Sequence, residues 1–306
     1  MRDRVLVMGE ALTDLVPTRD GSLLPTPGGA PANVAAALAV LGVPTSFGGA
    51  LGDDVFGQAH RKRLTAAGVD LGLCADSPLP TALAVASPAP HGNRYDFHLG
   101  ATATFHLTPL TDRLTDFAAL YTGGLAAVVD PAAEAVHATA QAAAGRLLLV
   151  VDPNVRADRT IDPGAALRRL RALCDLAHVV KASDEDVRQL WPDEEPAATC
   201  RALAAGGRLV LLTQGAGGAT AFLADGTSVS VPPTPVTVVD TIGAGDAFTA
   251  GALAGLDASN ALRPRAPSEL SPTQALDLLT LASRMAAAAC ATPGANLATT
   301  HAREPA

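Results

Sequence analysis

The chain has 306 residues, of which 48% are hydrophobic and 17% charged, a composition that excludes a disordered protein and allows a sizeable core. Its 22 lysines and arginines against 30 aspartates and glutamates give a net charge of −8, which argues against general binding to nucleic acid or to an anionic membrane. We find no signal-peptide pattern, no apolar run near the ~20 residues that span a bilayer and no CxxC-type cysteine pair, so we expect a cytoplasmic protein without a zinc or redox motif.

Short apolar runs alternate along the chain with longer helical stretches. The predicted strands are residues 5–8, 46–50, 147–151, 179–181 and 209–213. The predicted helices are residues 32–41, 56–67, 132–144, 164–173 and 197–205. The strands are continuously apolar, as expected when helices cover both faces of a parallel sheet. This alternation predicts a doubly wound α/β fold.

Two strand-like runs, at residues 81–86 and 94–99, break this rhythm. The second run alternates apolar and polar side chains from Tyr95 to Leu99, which is the pattern of a strand with one solvated face. Gly92 and Asn93 predict a hairpin turn between the two runs. The pair is either a lid over a cleft or an ordinary surface hairpin.

The segment VVDTIGAGDAF, residues 238–248, carries the most chemical information. Gly243 and Gly245 allow the backbone to approach a ligand closely, and the first N–H groups of the helix that follows attract an anion. Asp246 beside such a site is suited to accept the proton of a hydroxyl that attacks a phosphate. The alternative is that Asp246 only favours the helix N-terminus electrostatically. The P-loop and GxGxxG patterns are absent, so backbone groups would hold most of the phosphate.

A second informative segment is TPGGAPANVAAAL, residues 26–38. Pro31 suits the first turn of a helix, and Asn33 is costly to bury without partners. The amide of Asn33 would bind either a sugar hydroxyl or a neighbouring backbone group. Asp14 follows the first predicted strand, and ligands of open α/β sheets bind at the carboxyl ends of strands. Asp14 is therefore either a sugar-binding carboxylate or a solvated loop residue.

Together these segments resemble the ribokinase-like (PfkB) carbohydrate kinase family. Both family signatures are present in order, as GGAPANVAAALAVLG near the N-terminus and DTIGAGDAF near the C-terminus. Between them the chain carries LGDD at 51–54, DPNVR at 152–156, KASDED at 181–186 and TQGAGG at 213–218. The resemblance covers almost the whole chain and, within the family, is strongest to the bacterial fructokinases.

The resemblance implies roles for individual residues. It implies that Asp246 is the catalytic base, and that the anion hole for the transferring phosphate is formed by Gly243, Ala244 and Gly245. The implied sugar-binding residues are Asp14, Gly28, Gly29, Asn33 and Arg156. The implied residues on the nucleotide side are Ser183, Thr213, Gly215, Gly218 and Ser283.

The resemblance also implies two cation sites. Asp186 stands where the family often has a glutamate that organises Mg²⁺ through water. Asp240 and Thr241 match one side of a K⁺ site beside the anion hole, and residues 289–295 match its other side. We therefore expect ATP and Mg²⁺ as cofactors, with K⁺ as an additional candidate.

The expected protein is an α/β kinase with a doubly wound, mostly parallel sheet, a single domain over residues 1–306 and a small β-sheet lid formed mainly by residues 13–26 and 81–106.

The expected activity of this protein is transfer of the γ-phosphate of ATP to a sugar hydroxyl, with fructose as the first choice. The alternatives are a ketodeoxygluconate, ribose or nucleoside kinase of the same family, and a non-catalytic sugar or nucleotide sensor. A third alternative is an NAD-dependent dehydrogenase on a similar α/β scaffold, against which the missing GxGxxG pattern counts. Thr104 and Thr292 depart from residues common in fructokinases. An exposed lid edge also predicts a homodimer, with no nucleic-acid or membrane partner.

Overall fold

The computed structural model describes residues 4–18, 20–89, 92–156 and 161–292. Its strands are, in chain order, β1 (Val5–Met8), β2 (Leu12–Pro17), β3 (Leu23–Gly28), β4 (Thr45–Gly48), β5 (Ala50–Gly52), β6 (Ala75–Ser77), β7 (Leu83–Ala89), β8 (Gly92–His98), β9 (Ala119–Gly123), β10 (Leu148–Asp152), β11 (Val179–Ser183), β12 (Leu209–Thr213), β13 (Ala219–Phe222) and β14 (Ser228–Val231). Its α-helices are α1 (Ala30–Val40), α2 (Val55–Ala66), α3 (Ala132–Ala143), α4 (Pro163–Leu176), α5 (Asp184–Leu190), α6 (Pro196–Ala205), α7 (Ala244–Ala258) and α8 (Pro272–Cys290). No helix within these ranges is long and apolar enough to cross a membrane.

A large sheet with the strand order β14-β13-β12-β11-β10-β9-β1-β4 forms the body of the molecule. Its strands are parallel from β12 to β4, and the β13–β14 hairpin continues the sheet antiparallel at one edge. Along β1, Val5 and Val7 pack with α1, α7 and α8, whereas Leu6 and Met8 pack with α3 and α4. Helices therefore cover both faces, which explains the continuously apolar strands. The predicted doubly wound α/β fold is confirmed.

Most predicted elements agree with the structure to within a few residues, and the strand at 209–213 agrees at both ends. The single strand predicted at 46–50 is wrong, because the structure has two strands there, β4 and β5, with Gly49 between them. A Cβ atom on Gly49 would lie 2.3 Å from the ring of Phe47, so only glycine allows the chain to turn against that ring. Strand β9 is missing from the sequence prediction because its ALYTG run has too few aliphatic residues to stand out.

A separate four-stranded sheet, the small sheet, has the order β3-β2-β7-β8. Strands β2 and β7 pair in parallel, and β7 and β8 form the predicted hairpin. The turn predicted at Gly92 and Asn93 is wrong, since both residues belong to β8 and pair with Ala89 and Pro88. The antiparallel pairing continues past the predicted position, and residues 90–91, which connect the two strands, lie outside the described part of the chain.

Residues 99–106, at the end of the predicted lid segment, pack against the body of the molecule. Phe105 is buried in the same cluster as Leu6 and Met8. The hydroxyl of Thr104 donates to the carbonyl oxygen of Ala11 and accepts from the N–H of Ala82, both at 3.0 Å. This departure from the fructokinase pattern therefore ties the β1–β2 connection to the start of the hairpin, and Thr104 does not line the cavity described below.

Helix α2 is fixed at its start by the carboxylate of Asp54. Its Oδ1 accepts hydrogen bonds from the N–H of Gly57 at 2.8 Å and from the hydroxyl of Thr81 at 2.7 Å, and its Oδ2 accepts from the N–H of Thr81 at 2.7 Å. Partial burial acts to raise the pKa of Asp54, but these hydrogen bonds outweigh it and lower the pKa. Ionised Asp54 therefore caps α2 and joins it to the segment that leads into the small sheet.

Asp54→Ala removes the helix cap and both hydrogen bonds to Thr81, so we expect the free energy of unfolding to fall by about 2 kcal/mol at neutral pH, measured by urea denaturation. Because the folded-state pKa of Asp54 is lowered, its contribution is present above the unfolded pKa and is lost as the pH falls through the folded pKa. The difference from the wild type should therefore shrink in acid. The matched control is Asp53→Ala, at the exposed neighbouring position. An equal fall in the free energy of unfolding in the two variants would contradict the capping role of Asp54.

Candidate active site

A cavity of about 730 Å³ opens between the small sheet and the carboxyl-terminal ends of β1, β10, β11 and β12. Ligands of open α/β sheets bind at this end of the strands. The predicted site residues that line it are Asp14, Gly29, Asn33, Arg156, Ser183, Asp186, Thr213, Asp240, Thr241, Gly243, Gly245 and Asp246. The structure thus brings most of the predicted sugar, phosphate and cation residues into one space.

The remaining predicted site residues do not line this cavity; they are Gly28, Ala244, Gly215, Gly218 and Ser283. Gly28 still shapes the site, because a Cβ atom there would lie 2.0 Å from Oδ2 of Asp14. A Cβ atom on Gly218, in the loop after β12, would lie 2.2 Å from the carbonyl oxygen of Val231. Ser283 lies half-buried in α8. The nucleotide contacts of these residues stay predictions.

Helix α7 presents its N-terminus to the cavity. Its N-cap residue Gly243 has a φ of 78°, in the left-handed region that favours glycine. The N–H groups of the first turn have no carbonyl partner earlier in the helix. The ammonium group of Lys181 lies beside this turn, since a Cβ atom on Gly245 would be 3.2 Å from Nζ. The helix dipole and this ammonium group, which is paired with Asp152, both place positive charge at this end of α7, where helices bind anions.

Asp246 lies in the first turn of α7 with 9% of its surface exposed. Its Oδ2 accepts a hydrogen bond of 2.8 Å from Nδ2 of Asn33. Burial raises the pKa of the Asp246 carboxyl, while the Asn33 hydrogen bond and the charges of Lys181, Arg156 and Arg63 act in the opposite direction. A buried carboxylate of raised pKa in a cavity wall is suited to proton transfer, and a purely electrostatic role at the helix N-terminus would not require this burial.

The side-chain amide of Asn33 bonds to two side chains, and not to a neighbouring backbone group as in the alternative given above. Its Nδ2 donates to Asp246, and its Oδ1 accepts a hydrogen bond of 2.8 Å from Nη1 of Arg63. Arg63 is absent from the predicted site residues. No local pattern marks it, because α2 carries Arg61, Lys62 and Arg63 in succession and such a run is usually a solvated helix face.

Two further carboxylates face the same cavity. Asp14 lies on β2, and burial, followed by the charge of Asp246, raises its pKa to about 7. Glu10, directly after β1, is 2% exposed, and its Oε2 accepts a hydrogen bond of 2.9 Å from the N–H of Ala126. Burial raises the pKa of Glu10 to about 7, against the effect of its backbone hydrogen bonds. Glu10 is also absent from the predicted site residues, although its place at the carboxyl end of the first strand is a usable signal.

A buried ion pair, likewise absent from the sequence prediction, joins β10 to β11 at the cavity. Nζ of Lys181 donates to Oδ2 of Asp152 at 2.9 Å, and the two side chains are 6% and 0% exposed. Burial acts to lower the pKa of Lys181, but the neighbouring carboxylates outweigh it and raise the pKa, whereas burial raises the pKa of Asp152 to about 6. The signal in the sequence is a lysine inside an apolar strand, in a chain with two lysines.

Asp186 and Ser183 form a capping box at the start of α5. Oδ2 of Asp186 accepts from the N–H of Ser183 at 2.9 Å and from its hydroxyl at 2.7 Å, and Oδ1 accepts from the N–H of Val155 at 2.8 Å. Both oxygens are thus bonded to protein, which favours contact with a metal through water. Within the described ranges, no group of three or more His, Cys, Asp or Glu side chains is arranged to hold a metal ion by itself.

The two predicted sides of the K⁺ site are close in the structure. The carbonyl oxygen of Cys290, at the end of α8, accepts hydrogen bonds from the N–H groups of Val239 at 2.8 Å and Asp240 at 3.3 Å. Oδ1 of Asp240 in turn accepts from the N–H of Ile242 at 3.0 Å. Residues 293–295 of the predicted loop lie outside the described residues, so the second side is described only up to Thr292.

The family model for pfkB carbohydrate kinases matches residues 2–302. The chain belongs to the PfkB carbohydrate kinase family. The match spans the body of the fold, the small sheet and the start of α7, so the predicted family is confirmed over nearly the whole chain.

Within this family the chain is similar to several curated fructokinases. It is 35% identical to a fructokinase of Rhizobium leguminosarum bv. trifolii over 274 residues, which cover 87% of this chain and 83% of the relative. It is also 35% identical to a fructokinase of Salmonella typhimurium over 320 aligned positions, which cover 99% and 98% of the two chains.

Solved structures of the family have the same fold. A fructokinase of Vibrio cholerae O395 with fructose, ADP and calcium ion bound superposes with a TM-score of 0.83 at 27% identity, and covers 97% of this chain and 96% of its own. A fructokinase of Xylella fastidiosa with bound ATP gives a TM-score of 0.84 at 26% identity, with 96% and 94% covered. The prediction of an ATP-dependent sugar kinase is confirmed.

Lys181→Met leaves Asp152 buried without its cation, so we expect the free energy of unfolding to fall by about 3–5 kcal/mol at neutral pH, measured by chemical denaturation. Burial raises the folded-state pKa of Asp152 to about 6 in the wild type, although Lys181 acts to lower it. Removal of Lys181 therefore raises this pKa further, and the loss of stability in the variant should grow as the pH rises above 6. Adding Asp152→Asn should recover part of the loss. The control is Lys62→Met, at the exposed second lysine, which should be as stable as the wild type. A Lys181→Met protein as stable as the wild type at neutral pH would contradict the prediction.

Proposed function

We propose that this kinase transfers the γ-phosphate of ATP to a hydroxyl of fructose. The observation that carries the proposal is the buried Asp246 carboxylate at the N-terminus of α7, in one cavity with Asp14 and Asn33. The curated fructokinases at 35% identity support fructose as the acceptor. So does the Vibrio cholerae fructokinase structure, which has fructose and ADP bound.

In the proposed reaction, Asp246 accepts the proton of the sugar hydroxyl as that oxygen attacks phosphorus. The bond from phosphorus to the leaving oxygen of ADP breaks as the new bond forms, and the proton remains on Oδ of Asp246. The N–H groups of Gly245 and its neighbours in the first turn of α7 stabilise the charge on the transferring phosphate. The ammonium group of Lys181 beside that turn adds a further positive charge.

The cavity also fits Mg²⁺ in the manner usual for nucleotide sites. Mg²⁺ prefers one or two carboxylates together with phosphates and waters, and does not require a cage made of protein alone. Asp186 lines the cavity, and Oδ1 of Asp152 is a buried acceptor for which the described residues provide no hydrogen bond. We propose that Asp186 holds the ion through water. Bound with ATP, the ion would supply positive charge to the phosphate oxygens.

K⁺ is proposed at the segment that carries Asp240 and Thr241. Both residues line the cavity, and the backbone bond between Val239 and Cys290 keeps this segment against the end of α8. A further Vibrio cholerae fructokinase structure, of a double mutant, has fructose, ADP and potassium ion bound. That structure supports K⁺ as a ligand of this kinase, and its position at Asp240 and Thr241 is our proposal.

We propose that the small sheet is the lid of a single kinase domain. Tyr95 and Phe97 project from β8 into the cavity wall, with their rings stacked at a centroid distance of 6.0 Å. An apolar wall over the sugar would exclude water, which otherwise competes as phosphate acceptor.

We also propose a homodimer through this sheet, because Leu23 and Leu24 on its edge strand β3 are 47% and 57% exposed.

One observation favours a second candidate acceptor. An aminoimidazole riboside kinase of Salmonella enterica has a TM-score of 0.80 to this chain at 28% identity, and covers 97% of it. A riboside would use the same base and anion site, so the distinction rests on how the small sheet fits the sugar.

The test of the proposed function is ADP release from purified protein with ATP and Mg²⁺, across fructose, ribose, ketodeoxygluconate, glucose and adenosine, each with K⁺ and with Na⁺. We expect the highest kcat/KM with fructose and a higher rate with K⁺. Activity on another acceptor alone would move the specificity and keep the chemistry. The absence of ADP release with all five acceptors would contradict the proposed activity.

Asp246→Asn removes the proton acceptor but keeps the shape of the side chain. We expect kcat to fall by about 10²–10⁴-fold, while the Kd for ATP, measured by calorimetry, stays close to that of the wild type. Asp277→Asn, an exposed position on α8, is the control for the loss of one carboxylate. A variant at position 246 with near-normal turnover would rule out the base assignment.

A further inference from the structure

Arg63 occupies an unusual place for an arginine in a surface helix. It lies in the last turn of α2 and is half-buried, and it does not line the cavity that holds Asp246. Among the described residues, its guanidinium group donates to one oxygen atom of the site and to one of the small sheet.

The first acceptor is the side-chain oxygen of Asn33. Nη1 of Arg63 donates to Oδ1 at 2.8 Å, and the Nδ2 group of the same amide donates to Asp246 at 2.8 Å. An amide has one accepting and one donating end. With its oxygen held by a cation that cannot accept a hydrogen bond, the amide has a single favourable orientation, in which its nitrogen faces Asp246.

The second acceptor is the carbonyl oxygen of Pro27 at the end of β3, to which the same Nη1 donates at 3.3 Å. Pro27 precedes Gly28 and Gly29, which lead directly into α1. Neither glycine has room for a side chain: a Cβ atom would lie 2.0 Å from Asp14 at Gly28 and 2.6 Å from the carbonyl oxygen of Glu10 at Gly29. Arg63 thus contacts the point where the small sheet joins the helix that carries Asn33.

We propose that Arg63 is a positioning residue for the phosphoryl-transfer reaction, which holds the amide of Asn33 in the orientation that donates to Asp246 and ties that orientation to strand β3 of the small sheet. The inference rests on the proposed role of Asp246 as the base. It assigns a part in the reaction to a side chain that touches neither substrate.

The charges around Asp246 show what the loss of Arg63 would change. The groups that act on the Asp246 carboxyl or are acted on by it are Lys181, Arg156, Arg63, Glu10, Asp14, Asp152 and Tyr121. Arg63 acts to lower the pKa of both Asp246 and Asp14. Its removal therefore allows the pKa of Asp246 to rise, both through the lost charge and through an amide that is free to turn.

The first measurement is kcat as a function of pH with the preferred sugar. The second is the pKa of the Asp246 carboxyl in the ligand-free protein, followed by ¹³C NMR titration. The Asp246→Asn variant identifies the Asp246 signal. In Arg63→Met we expect the acid limb of the kcat profile and the NMR titration to move up by roughly one pH unit. We also expect kcat at the optimum to fall by about tenfold to a hundredfold, with the KM for ATP unchanged. Arg61, on the same helix, has a side chain that is 42% exposed, and Arg61→Met should leave all four quantities as in the wild type.

Arg63→Lys separates charge from geometry. It keeps the positive charge but not the planar guanidinium group, so we expect an acid limb close to that of the wild type and a kcat at least about tenfold lower. Full kcat in this variant, or an Asp246 titration in folded Arg63→Met equal to that of the wild type, would overturn the proposal. If Arg63→Met does not fold, the kcat of Arg63→Lys decides.

Different results would contradict the proposed kinase activity and the proposed role of Arg63. A wild-type protein that releases no ADP with any sugar contradicts the proposed function, and the NMR titration still decides the role of Arg63. A wild type with normal turnover and an Arg63→Met profile that does not move contradicts the role of Arg63 alone.

Discussion

The burial of negative charge is the constraint on which this site depends. Glu10, Asp14 and Asp246 line one cavity, and Asp152 is paired with Lys181 in its wall. Burial raises the pKa of each of these four carboxyls. Such a cluster is stable only where cations and donors reach it. They come from separate elements: an ammonium group from β11, a guanidinium group from α2, an amide from α1 and the N-terminus of α7. The charge balance therefore fixes how the sheet, the small sheet and three helices meet.

The glycines of the two signature segments serve this same arrangement. Gly28 and Gly29 bring the backbone into contact with Asp14 and with the chain at Glu10, at distances that leave no room for a Cβ atom. Gly243 turns the chain into α7 with a left-handed backbone conformation. The predicted phosphate and sugar residues are thus placed by close backbone contact, and an anion site of this kind does not require a P-loop lysine. The lysine beside the anion site comes from strand β11 instead.

The fold and the residues of the signature segments could be predicted from the sequence because they depend on local patterns. Continuous apolar runs mark the strands, and the glycine-rich turn before α7 marks the anion site. Arg63 and the pair Lys181–Asp152 could not be predicted as partners, since their roles depend on distances between elements far apart in the chain. The split of residues 46–50 into two strands was missed for a similar reason: it depends on the ring of Phe47 packing against Gly49. The nucleotide and K⁺ residues were placed by family resemblance and have no local physical signal of their own.

The hydrogen bond between Asn33 and Asp246 joins residues 213 positions apart in the chain. Helices α1 and α7 pack in the same core cluster, so the two halves of this contact are brought together only by tertiary folding. Contacts between distant segments form late, because the entropy of closing the intervening chain must first be overcome. During translation, the segment with Asn33 and Arg63 leaves the ribosome well before helix α7, which carries Asp246. In the proposed mechanism, a nascent chain whose α7 has not yet left the ribosome therefore has no group to accept the proton of the sugar hydroxyl.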